Sequence, residues 1–198
     1  MKTQQSGRAL YSPAEAFSIL RRALRAMPEL RRGEKRGTIS PRFKERLMLA
    51  VTEVNGCALC SYVHTQAALE AGLSDAEIAA LLAGAADNAP AGELPALLFA
   101  QHYADTRGKP SPEAWRRVRS EYGQARAGAI LSAIQVIMLG NTYGIPLGSL
   151  RARLRKQPEQ VNPRSSLPYE LTMLLLLIVY LPCGAAAAGI SSALRLPR

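Results

Sequence analysis

Residues 42–84, RFKERLMLAVTEVNGCALCSYVHTQAALEAGLSDAEIAALLAG, read as three consecutive helices joined by two short turns. Phe43, Leu47, Val51 and Val54 recur at spacings of three and four, the period of one buried helix face. Ser40-Pro41 just upstream supplies an N-cap with proline at the first helical position. Asn55-Gly56 interrupts this helix, and the next runs from about Cys57 to Ala71, with Gly72 as its stop. Ser74-Asp75-Ala76-Glu77 is a capping box that opens the third helix, to about Ala86.

Outward from this stretch the pattern stays helical. Ser12-Pro13-Ala14-Glu15 is another capping box, and its helix reaches about Arg31 with Phe17, Leu20, Leu24 and Met27 on one face. The arginine-rich stretch from there to Thr38 reads as a solvated loop. Downstream, a helix is predicted from about Glu93 to Arg107, and a short one from Ser111-Pro112-Glu113 to Tyr122-Gly123. Gln124–Asn141 is apolar on most sides, the signature of a central buried helix, with Asn141, Thr142 and Tyr143 expected as its C-terminal cap or, as the competing expectation, as lining of a pocket at the cysteines. Leu147–Lys156 reads as a short basic helix and Gln157–Ser166 as a linker. No run alternates with period two, so the class is all-α. The organisation expected is an arm (1–11), a helical domain (12–150), a basic linker (151–169) and an apolar C-terminal helix (170–198).

The chain has 198 residues, a net charge of +10 and three cysteines. A hydrophobic content of 48% excludes wholesale disorder, and the low cysteine count excludes a disulfide-stapled secreted scaffold. The charge is uneven: residues 1–44 carry +8, residues 45–150 carry −3 and residues 151–198 carry +5. Basic flanks around an acidic centre fit docking to an anionic membrane surface, and no nucleic-acid-binding motif accompanies them. From Leu171 to Leu194 no residue is charged, a length sufficient to cross a bilayer core. Leucine on every side of residues 174–177 favours lipid, and Arg151, Arg153, Arg155, Lys156 and Arg164 before it would hold the domain on the cytoplasmic face. A helix packed in the oligomer or in a groove of its own subunit is the competing expectation. The first ten residues contain no apolar secretory core.

The chemistry concentrates between Glu45 and His64. On a helix, positions 57, 60 and 64 lie within about 60° of one another, so two thiols and an imidazole share a face. Residues three apart sit about 5 Å apart at Cα, within disulfide range. Cys57 follows the turn, where a helix N-terminus favours thiolate. His64 is one turn past Cys60, placed to take or return a thiol proton, and Glu45 on the preceding helix can return to orient the ring. Such a set can run thiol-peroxidase chemistry: thiolate attack on a peroxide, a sulfenic acid, resolution to a disulfide and reduction by an external dithiol. The competing expectations are a thiol redox switch without turnover, a zinc site for which Cys57, Cys60 and His64 supply three soft ligands, and inert core thiols.

The spacing Glu45-x11-Cys57-x2-Cys60-x3-His64, with the helical context of residues 41–85, resembles the alkyl hydroperoxidase D (AhpD)-like proteins of the carboxymuconolactone decarboxylase superfamily. The resemblance implies an all-α helical bundle, here with an added C-terminal apolar helix. It implies homo-oligomers, trimers or larger, and hydroperoxide reduction without a bound cofactor or metal. It assigns peroxide attack to Cys60, resolution to Cys57 and a proton relay to Glu45 and His64. Family members can carry a histidine just before the second cysteine, where this chain has Leu59, which leaves the relay with fewer titratable groups. The decarboxylase branch lacks the paired cysteines. Elsewhere, His102 reads as a structural histidine, Trp115 as core or subunit interface, Cys183 as a small apolar residue of the tail, and the paired arginines as solvated helix faces.

Overall fold

A computed structural model describes residues 10–85 and 89–193. The distal N-terminal arm, Ala86 and residues 194–198 of the expected C-terminal segment fall outside the described residues. Among the described residues seven α-helices follow in order: α1 (Pro13–Lys35), α2 (Pro41–Asn55), α3 (Ala58–Glu70), α4 (Asp75–Leu82), α5 (Leu94–Asp105), α6 (Pro112–Leu154) and α7 (Leu167–Ala193), with a 3-10 turn at Pro158–Gln160. Among the described residues there is no strand, and the all-α class read from the sequence is the fold observed.

The caps sit where the sequence placed them. Ser12 and Ser74 form complete capping boxes with Glu15 and Glu77, while Ser40 and Ser111 accept from Phe43 and Ala114 backbone N–H groups. Each satisfies a donor that the helix start would otherwise leave unpaired. The Glu15 carboxylate also accepts from Arg107, whose guanidinium lies 4.4 Å from the centroid of the Tyr11 ring.

Three boundaries differ from the sequence reading. The first helix does not end near Arg31 but continues to Lys35, because its last turn is packed against α6. Gly33 is buried there, and a Cβ on it would lie 2.9 Å from Ala129 Cβ, so the absence of a side chain permits the approach. The α4 helix stops at Leu82, and Gly84 turns the chain with φ +82°. Most consequentially, Asn141, Thr142 and Tyr143 do not cap a helix. After a break at Gly123 (φ 69°), α6 runs on through Pro146 to Leu154, absorbing the separate basic helix expected at Leu147–Lys156. Thr142 Oγ1 donates to the Met138 carbonyl at 2.7 Å, one turn back along the same helix.

The centre is a layer of Phe43, Leu47, Leu49, Leu97, Ile130, Ile134 and Met138 from α2, α5 and α6, with α1 across α6. Arg46 is only 5% exposed and is held inside this core. Its guanidinium donates to Glu93 at 2.9 Å and to Glu77 at 2.8 Å, tying α2 to α4 and to the start of α5. Trp115 packs on Phe99 at 5.8 Å between centroids, and His102 Nε2 accepts from the Ser111 backbone N–H at 3.3 Å. Both act structurally.

The apolar tail divides its faces. Met173 is buried with Ala16 and Tyr143, Tyr180 packs edge-on against Phe17, and buried Glu170 accepts from Arg153 and Ser165. Burial pushes the Tyr143 phenol up to about 12. Thus α7 does lie against its own subunit through α1 and α6. Its other face leaves Leu171, Leu175, Ile178 and Val179 in solvent, with Leu175 at 63% and Ile178 at 69% exposure. By length and composition, α6 is the described helix that could cross a membrane, but 67% of its apolar window is buried within the fold. It is the core helix of the domain.

Candidate active site

The α2–α3 turn carries the thiols, and a side-chain chain of hydrogen bonds pins it to α6. Tyr11 Oη donates to Asn55 Oδ1 at 2.6 Å, Asn55 Nδ2 to Asn141 Oδ1 at 2.9 Å, and Asn141 Nδ2 to Thr52 Oγ1 at 3.1 Å. Asn141 and Thr52 are fully buried, so their mutual bonding offsets desolvation that would otherwise be costly. Gly56 takes a left-handed conformation, φ 67°, that ends α2 and lets the chain reverse. The next residue is Cys57.

Cys57 is not in the first turn of α3 but is its N-cap, with extended backbone and its Sγ accepting the Cys60 backbone N–H at 3.2 Å. The unpaired N–H groups at this helix start supply positive potential at that sulfur and favour its thiolate once the pair is reduced. Cys57 and Cys60 are joined as a disulfide, with Cα atoms 5.2 Å apart. The spacing read from the sequence therefore produces the juxtaposition it suggested. Both cysteines are buried, Cys57 fully and Cys60 with 8% of the residue exposed.

Glu45 and His64 also meet. Antiparallel packing of α2 and α3 brings His64 Nδ1 to 2.7 Å from Glu45 Oε2. The Glu45 side chain is buried, and Lys44 Nζ lies 3.5 Å from its other oxygen. In the tautomer with Nδ1 protonated, the ring donates to the carboxylate, which fixes its orientation. All four residues singled out in the sequence lie on this one helical pair. Among the described residues, no set of three His, Cys, Asp or Glu side chains converges as a metal site. His64 turns its Nδ1 to Glu45.

Residues outside the motif complete the site. Ile145 is buried against both cysteines, with Leu59 and Leu10 beside it. Cys60 Sγ lies 3.5 Å from the Gly140 carbonyl oxygen, an acceptor for its S–H in the dithiol form. Gly144 is the closest approach: a Cβ built there would lie 2.6 Å from Cys60 Sγ and 2.8 Å from Cys57 Sγ. The sequence reading missed these residues. The available signal was the four-residue spacing of Gly140, Gly144 and Gly148, which puts three small residues on one stripe of an otherwise apolar helix.

This site now stands beside known proteins. Residues 21–104 match the carboxymuconolactone decarboxylase family. The matched span runs from α1 through most of α5 and includes Glu45, Cys57, Cys60 and His64. The wall provided by Gly140, Gly144 and Ile145 lies beyond it. The carboxymuconolactone decarboxylase family includes enzymes, alkyl hydroperoxidase D and the decarboxylase itself among them. The family resemblance expected from residues 41–85 is therefore correct. Uncharacterized protein YdfG of Bacillus subtilis (strain 168) is 26% identical over 138 residues, which span 69% of this chain and 94% of that protein. No solved structure matches the chain.

Proposed function

We propose that the protein is a thiol-dependent hydroperoxide reductase. The observation that carries this reading is the conjunction, on one helix pair, of a vicinal Cys57–Cys60 couple and a Glu45–His64 dyad. Cys60, the less buried of the two cysteines, passes its proton to His64 while Glu45 balances the imidazolium. The thiolate attacks the outer peroxide oxygen, the O–O bond breaks, and the imidazolium proton goes to the departing alkoxide, leaving alcohol and Cys60 sulfenic acid. Cys57, its proton passed to solvent, attacks that sulfenic acid as thiolate; the sulfur–oxygen bond breaks, the disulfide closes, and the departing hydroxide takes a proton from solvent to leave as water. An external dithiol then returns two electrons and two protons and leaves as its own disulfide. We assign the chain, like other members of its superfamily, to a homo-oligomer of three or more copies.

The test is a stopped-flow measurement on pre-reduced, full-length protein with hydrogen peroxide and an organic hydroperoxide, followed by mass spectrometry. One peroxide consumed per Cys57–Cys60 disulfide formed is expected. Reduced protein that leaves both peroxides intact would overturn the reading.

We also propose that the outward face of α7 contacts an anionic membrane on its cytoplasmic side. In support, Leu171, Leu175, Ile178 and Val179 form an exposed apolar stripe. Exposed Arg151, Arg155 and Lys156 stand at the adjoining end of α6, where Arg153 pairs with Glu170. The full chain should sediment with membranes without detergent and float with anionic vesicles in preference to neutral ones. Recovery wholly in the soluble fraction would remove the proposal.

A further inference from the structure

Gly144 and Gly148 of α6 face the thiol-bearing helix, and the Gly140 carbonyl lies 3.5 Å from Cys60 Sγ, although a helix interior favours alanine over glycine. Their surroundings are not equivalent. A Cβ at 148 would meet Leu59 Cβ at 3.4 Å, and one at 140 would meet Ile137 Cδ1 at 3.5 Å, both ordinary contacts. At 144 the neighbours are the two sulfurs, at 2.6 and 2.8 Å, far inside the about 3.5–4.0 Å at which non-bonded heavy atoms attract.

We propose that Gly144 sets the redox preference of the Cys57–Cys60 pair: the α6 backbone at this residue is the wall against which the disulfide closes, and a methyl group there would drive the pair toward the dithiol. The inference rests on reading the pair as redox-active, but it does not require that a peroxide be the oxidant. Neither side of the contact can yield while the disulfide is closed. The sulfurs belong to a ring spanning one turn of α3, with Cys57 anchored as its N-cap. Gly144 sits inside α6 among the buried residues Asn141, Thr142, Tyr143, Ile145 and Pro146. Reduction breaks the Sγ–Sγ bond, taking two electrons and two protons from a dithiol that becomes a disulfide. With that bond gone the sulfurs are no longer held together, and each thiol can turn about its own χ1 away from residue 144. A side chain at 144 therefore opposes the oxidised state much more than the reduced one. Gly144 is a positioning residue, acting through the two sulfurs rather than on substrate.

The experiment equilibrates full-length wild type, Gly144→Ala and Gly148→Ala in graded mixtures of reduced and oxidised glutathione. Quenching by alkylation and counting free thiols by mass spectrometry then give the equilibrium. Gly144→Ala should shift the dithiol–disulfide equilibrium tenfold or more toward dithiol, a rise of about 30 mV or more in reduction potential. Gly148→Ala should stay within about twofold of wild type. An unshifted Gly144→Ala, or equal shifts in the two variants, would overturn the proposal. Should Gly144→Ala fail to fold, the same substitution is made with Cys57 and Cys60 both replaced by alanine. With the sulfurs gone, alanine at 144 should leave Tm equal or higher, and a fall would show that the methyl collides with the fold itself. Because no peroxide enters these measurements, loss of the peroxidase reading would leave their outcome informative.

Discussion

Replacing Cys60 by serine should lower the rate of peroxide consumption by reduced protein at least about 10³-fold, whereas Cys57→Ser should retain the first reaction and lose turnover. A serine hydroxyl stays protonated near neutral pH and is a poor nucleophile toward an O–O bond, so the variant at the attacking position loses the chemical step itself. In Cys57→Ser the attack on peroxide still proceeds, but no thiolate is present to resolve the product. Sulfenic acid should then accumulate at Cys60, detectable by a sulfenic-acid-selective probe and mass spectrometry. Two physical effects compete for the assignment. The helix start favours thiolate at Cys57, which accepts the Cys60 N–H. Solvent access favours Cys60, because Cys57 is wholly buried. A peroxide has to reach the sulfur before its pKa matters, and on that ground we propose the first step at the less buried Cys60. The N-cap thiolate is better suited to the second, which is intramolecular. The opposite pattern, an inert Cys57→Ser and a normal first reaction in Cys60→Ser, would reverse the assignment.

Arg46→Ala should destabilise the fold by about 3 kcal/mol, near the lower end for breaking a buried ion pair. For a chain of this size that corresponds to a fall in Tm of about 6–12 °C. Truncation leaves the Glu93 and Glu77 carboxylates facing a cavity where the guanidinium had bridged them, and Glu77 keeps partial access to solvent. Arg46→Lys should recover only part of the loss, since an ammonium cannot reproduce two donors held in a planar fork. Thermal unfolding of the oxidised proteins, followed by circular dichroism, measures both. A Tm within about 2 °C of wild type for Arg46→Ala would show that the bridge contributes nothing net. The redox pair should close normally in this variant at low temperature, because Arg46 touches α4 and α5 rather than the thiols.

Much of the molecule is local in origin and therefore legible along the chain. Serine caps, capping-box glutamates and the three-four spacing of Phe43, Leu47 and Val51 involve residues within a turn or two of one another. The same holds for the thiol pair. A separation of three across a helix start sets the sulfur distance almost by itself, and the Glu45–His64 contact requires only that two consecutive helices pack antiparallel. Harder to read were contacts that bring distant segments together. The run from Asn141 to Tyr143 looked like a helix end because asparagine and threonine favour ends when exposed. Buried, Asn141 bonds instead to side chains on α2, and the helix continues.

By itself, then, the sequence determined the all-α class, the starts of the helices and the alignment of Glu45, Cys57, Cys60 and His64 on one helix pair, since each depends on short-range geometry that a helix imposes wherever it forms. Only the tertiary structure decided that Arg46 is an internal ion-pair bridge, that α7 lies on α1 and α6 with one apolar face outward, and that the disulfide closes against Gly144. Those features depend on close packing between residues tens of positions apart. There, a missing methyl group or an enclosed guanidinium acquires meaning only from what lies opposite.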